Sequence, residues 1–117
     1  MISLTLLDVR DAFLSVLDDV YHFKAPGNKS EHYVVWGETG QSDTISADDK
    51  PDTIAIAGLM YYYTNDEYDT IFDDLCFALS EIGAAWGIRS IGYDDSTGQI
   101  VYEVAWEVAC GACSIYK

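Results

Sequence analysis

Positive charge is scarce in this chain. Six of 117 residues are Lys or Arg against twenty Asp or Glu, a formal net charge of −14. A surface of that sign repels nucleic-acid phosphates and anionic lipid, which excludes ordinary DNA, RNA or membrane binding by charge. Histidine is scarcer still, with only His22 and His32. The imidazole-centred triads of nucleophilic hydrolysis therefore have little to draw on, and no Gly-x-Ser-x-Gly elbow is present. The three cysteines, Cys76, Cys110 and Cys113, are too few and odd in number for a secreted disulfide framework. No apolar run approaches the roughly 20 residues of a membrane span. The first residues, Met1 to Leu7, lack a basic region, and Asp8 and Arg10 interrupt the apolar run, so no secretory leader is expected.

What is there is apolar and aromatic. Half of the residues are hydrophobic, with nine Tyr and three Trp among them. That is enough for one core, and the length allows one domain, expected over 1–117 with about 109–117 as a C-terminal tail. Leu6, Val9, Phe13, Val16, Leu17 and Val20 recur at helical spacing, predicting a helix from about Leu4 to about Val20. Tyr33-Val34-Val35-Trp36 reads as a short strand, and the polar stretch from Gly37 to Pro51 as a long exposed loop. Thr53 to Tyr63 is apolar on both alternating faces. Such a strand is central to a covered sheet or has one face in a subunit interface. Thr64 and Glu67 form a potential capping box for a second helix, whose buried stripe is Tyr68, Ile71, Phe72, Leu75, Leu79 and Ile82 and whose stop is Gly83. Two further strands, one with Trp86, Ile88 and Ile91 and one from Ile100 to Val108, flank the hairpin turn Asp94-Asp95-Ser96-Thr97-Gly98. The expected class is α+β, with two helices on a mostly antiparallel sheet in the order α-β-β-α-β-β.

Chemistry finds few footholds. Glu103 and Glu107 share a strand face, but four residues at about 3.3 Å each separate them too far to share a proton. The turn at Asp94 fails as an EF-hand: with Gly98 at the sixth position, Tyr93 comes first and Val104 last, and neither supplies the required ligand. Gly37-Glu38-Thr39-Gly40 lacks the lysine and the helix of a phosphate loop. Cys110-Gly111-Ala112-Cys113 is a C-x-x-C, yet no helix follows to lower a thiol pKa, and a zinc site would need two more ligands. Cys110 and Cys113 thus stay metal or redox candidates beside the plainer reading of an inert tail. No enzyme activity and no cofactor are expected.

Three stretches taken together resemble a known family. They are Tyr33-Val34-Val35-Trp36-Gly37-Glu38, then Tyr62-Tyr63-Thr64-Asn65-Asp66-Glu67-Tyr68-Asp69, then Ser90 through Glu103. Their order and spacing are similar to those of tail terminator, or head–tail joining, proteins of siphophages and prophages of Gram-positive bacteria. The resemblance spans about Leu4 to Val108. It implies a hexameric ring in the virion, built in the host cytoplasm, that caps the tail tube, meets the head-completion protein and lets DNA pass through its lumen. Its partners would be further copies of itself, the tube protein and the connector.

A ring subunit needs complementary patches on two sides. The candidates for such contacts are the aromatics Trp36, Tyr61, Tyr63 and Trp106, the loop acids Glu38, Asp43, Asp48 and Asp49, and Glu103. Beside each stands the plainer reading, that aromatics build the core and acids keep the protein soluble. A different class fits the charge as well: an acidic DNA mimic that blocks a nuclease or restriction enzyme by occupying its basic groove.

Overall fold

The computed structural model describes residues 2–27, 29–41 and 54–109. They form helix α1 (Ile2–Leu14), strand β1 (Val20–His22), strand β2 (Tyr33–Gln41), strand β3 (Ala55–Thr64), helix α2 (Thr70–Glu81), strand β4 (Ala85–Asp94) and strand β5 (Gln99–Ala109). The strands make one sheet in the order β1-β2-β3-β5-β4, antiparallel except for the parallel β1–β2 pair. The protein is α+β, with both helices on one face of the sheet.

The pairing register explains the core. On the helix side, rows run across the strands as Val34–Tyr62–Tyr102 and Trp36–Met60–Val104. Against them pack Val9 and Phe13 of α1 and Phe72, Leu75 and Leu79 of α2, all in one buried cluster. Each such side chain contributes roughly 1.5–3 kcal/mol by leaving water. Helices of 13 and 12 residues are marginal alone, so this packing is what holds them. Gly58 lies between Glu38 and Trp106 in the next row. A Cβ there would sit within 2.6 Å of Trp106 Cε2 and 2.5 Å of the Gly37 carbonyl oxygen, so the missing side chain is the space the indole fills.

Several boundaries differ from the sequence reading. Helix α1 ends at Leu14, and the apolar periodicity past it belongs to the connection and to β1, which the sequence reading missed. Asp19 offers its carbonyl to the Val34 amide, at 2.9 Å, and so begins a strand where the pattern suggested helix. Strand β2 continues to Gln41, so the first residues of the expected loop are strand; residues 42–53 lie outside the described residues. The Thr64–Glu67 capping box does not form. Thr64 closes β3, and the N-cap of α2 is Asp69, whose Oδ1 accepts from the Ile71 amide at 2.9 Å. The C-terminal stop is as expected: Gly83 has φ 81°, its amide donates to the Ser80 carbonyl and that of Ala84 to the Leu79 carbonyl, a Schellman motif.

Candidate interaction surfaces

The side of the sheet away from the helices carries the rows Tyr33–Tyr63–Val101, Val35–Tyr61–Glu103 and Gly37–Leu59–Ala105. Neither helix covers them. At one corner Tyr33 and Tyr63 stack with ring centroids 4.4 Å apart, and the Lys29 ammonium lies 5.4 Å from the Tyr33 centroid. In the middle row the Tyr61 hydroxyl donates to Glu103 at 3.3 Å, Ser90 donates to the same carboxylate at 3.0 Å, and Arg89 stands 3.8 Å away. Burial first, then the Glu103 carboxylate, push the Tyr61 phenol above its ordinary value, so it stays a neutral donor. Beyond Leu59 and Ala105 the face dips into an open hollow of about 680 Å³, bordered by Thr39, Arg89 and Glu107.

The opposite side presents a groove of about 660 Å³ between α1 and α2, bordered by Asp8, Asp11, Asp74 and Glu81. Phe77, on its wall, is 64% exposed, and Leu4, Leu7 and Leu14 are exposed on α1. The third open surface is β4, at the edge of the sheet, where all ten residues are exposed.

One polar cluster is built with more care than the rest. Asp69 Oδ2 accepts from the Tyr62 hydroxyl and from the Thr64 hydroxyl, both at 2.6 Å, and Thr64 is fully buried. His32 Nε2 lies 2.9 Å from Asp66 Oδ2 and 3.7 Å from Asp69 Oδ2. Burial alone would raise the Asp69 pKa. The donors Thr64, Tyr62 and the Ile71 amide, with His32 beside them, outweigh it and hold the carboxyl below the ordinary aspartate range. His32, Asp66 and Asp69 place three ligand-type atoms within 4.8 Å of one another, the one such group among the described residues. Because Asp69 already accepts three hydrogen bonds from the fold, the arrangement ties β3, α2 and the segment before β2 together. Sequence spacing did not point to it, because its members come from residues 34 positions apart.

The residues singled out in the sequence fall in different places. Tyr61, Tyr63 and Glu103 come together on the open sheet face. Trp36 and Trp106 do not reach a surface: they are 4% and 1% exposed, packed within the core with ring centroids 6.2 Å apart, so they are corrected from contact candidates to core. Glu38 is half-buried at the β1–β2 end, with His22 Nε2 at 2.8 Å from its carboxylate. Asp43, Asp48, Asp49, Cys110 and Cys113 lie outside the described residues. Cys76 is buried on α2, and burial, with the nearby Asp73, pushes its thiol up to about 11, the opposite of a reactive cysteine. Comparison with protein-family models finds no match, and comparison with characterised protein sequences finds none either.

Proposed function

We propose that this chain is a ring-forming structural protein of the tail-terminator kind, which caps a phage tail tube and joins it to the head. The observation that carries the reading is the presence of two unlike open surfaces on opposite sides of one two-layer domain. One is the sheet face with Val35, Leu59, Tyr61 and Tyr63; the other is the helical groove with Phe77. A heterologous contact needs two different patches, one for each neighbour, and repeats around an axis until it closes. Monomeric soluble proteins seldom leave large apolar surface uncovered. The resemblance over Leu4 to Val108 adds the identity of the ring and its place between tail and head.

The test is native mass by light scattering over a wide concentration range, with and without purified tail tubes, combined with electron microscopy. The expected result is an annular particle of six copies, lost in Phe77→Asp and in Leu59→Asp, each of which keeps its fold. A chain that assembles no further than a pair, alone and on tubes, overturns the proposal. The helical groove also favours a second reading. Its four carboxylates around one exposed phenylalanine are what a basic partner would meet if the chain were a DNA-mimic inhibitor.

A further inference from the structure

The geometry points to the outer edge of β4 as a surface that joins two copies of this chain about a twofold axis. It lies along a different edge of the sheet from the two surfaces assigned to the ring, shares with the open face only the Arg89–Glu103 pair, and stands whether or not a ring forms.

Strand β4 pairs with β5 on one side, and among the described residues nothing pairs with its other side. A ten-residue edge with free amides and carbonyls is a template for another strand unless something blunts it. Protection is confined to one bulge and one arginine at the middle of the strand: from Ala85 to Tyr93 there is no proline, no lysine and no carboxylate. In a chain with twenty acidic residues, this is a strand along which a second copy meets no carboxylate of the strand itself.

The sequence of the strand is self-complementary. The pairing with β5 shifts between Ile88 and Ser90, leaving Arg89 as an extra residue. That irregularity puts Trp86, Ile88, Ile91 and Tyr93 all on one face, opposite Trp106, Val104, Tyr102 and Ile100 of β5. Without it the first two would face away from the last two. An antiparallel pair centred between Arg89 and Ser90 sets Trp86 against Tyr93, Gly87 against Gly92 and Ile88 against Ile91, each twice. The four large side chains, 39% to 66% exposed in the single chain, then form one apolar row across the junction. On the other face Arg89 of one copy lies beside Ser90 of the second, whose hydroxyl already holds Glu103. Each guanidinium thus gains a carboxylate across the axis besides the Glu103 of its own chain. The result is a continuous ten-stranded sheet. A partner of another sequence would have to reproduce this spacing; a second copy has it by symmetry.

The test is sedimentation equilibrium of the full chain from micromolar to near-millimolar concentration, with amide hydrogen exchange on β4. The expected result is a pair, with the outward-pointing β4 amides protected as well as those bonded to β5. Ile88→Lys should weaken the pair about tenfold or more, because it sets an ammonium in the apolar row, and leave the melting temperature of the dilute, unpaired chain unchanged. Ile91→Lys serves as the second variant should the first fold poorly. A chain that remains monomeric throughout overturns the proposal. So does an association that neither variant weakens, or outward β4 amides that exchange freely in the associated protein. Phe77→Asp and Leu59→Asp should abolish the ring and leave this pair intact, so the two readings fail separately.

Discussion

Replacing Asp69 by alanine should be among the most damaging single changes to a partly polar position in this protein. The carboxylate caps α2 through the Ile71 amide and receives two hydroxyl donors, from Tyr62 and from the fully buried Thr64. Loss of an N-cap costs about 1 kcal/mol. Leaving a buried hydroxyl without its acceptor costs about 1–3 kcal/mol, and two are affected here, though the Tyr62 and Thr64 hydroxyls can still bond each other. The sum is about 3 kcal/mol, a large part of the roughly 5–15 kcal/mol that holds a domain folded. That corresponds to a fall in melting temperature of roughly 10 °C. Asp69→Asn keeps the amide oxygen for the cap, and its NH₂ can donate to hydroxyls that rotate to accept, so it should lose about 1 kcal/mol. The assay is urea unfolding followed by circular dichroism. The pH dependence adds a second check. Because the folded-state pKa of Asp69 is depressed, its contribution is present above the ordinary aspartate value and lost as pH falls through the lower folded value. Wild type should therefore converge on Asp69→Asn in acid. An alanine variant within about half a kcal/mol of wild type, or an asparagine variant as unstable as alanine, would refute the reasoning.

Two further outcomes rest on the packing. Gly58→Ala should cost about 1–3 kcal/mol or more, because the new methyl meets the Gly37 carbonyl as well as the Trp106 ring, and backbone cannot swing aside; urea unfolding reads it directly. Cys76 should resist alkylation in the folded protein and react only on unfolding, as peptide mass spectrometry would record, since burial keeps its thiol protonated with a pKa of about 11.

Much of the architecture was legible because it rests on local patterns. The alternation from Ile100 to Val108 and the glycines at positions 83 and 98 carry their structural meaning in the sequence, and β5, the helix stop and the β4–β5 turn follow from them. Other features depend on what comes from afar. Val20 continues the helical spacing of α1, but Asp19 binds Val34 across the sheet and the chain becomes strand. The sequence pattern puts the cap of α2 at Thr64, and tertiary bonds from Tyr62 and Thr64 to Asp69 move it to Asp69. Trp36 and Trp106 have the composition of a contact patch but lie beneath helices whose placement no short window encodes. For β4 the strand itself was legible, while its exposure follows from where the two helices sit, which its own residues do not encode.

The charge of the chain also sets the sign of an experiment that separates its two functional readings. Copies that each carry −14 repel, and any contact between them forms against that repulsion. Salt shortens the range of repulsion, from about 10 Å at 0.1 M to about 3 Å at 1 M, and does not weaken apolar burial. Self-association through Leu59, Phe77 or the β4 row should therefore strengthen as sodium chloride is raised. A DNA mimic behaves oppositely, since its attraction to a basic groove is what salt screens. Sedimentation at low and high salt reads the first, and a binding titration against a basic partner protein reads the second. Association that weakens steadily with salt would mean that attraction between charges, the Arg89–Glu103 contacts included, outweighs the repulsion of the whole. In that case the absence of carboxylates from Ala85 to Tyr93 could not be what lets two copies meet there.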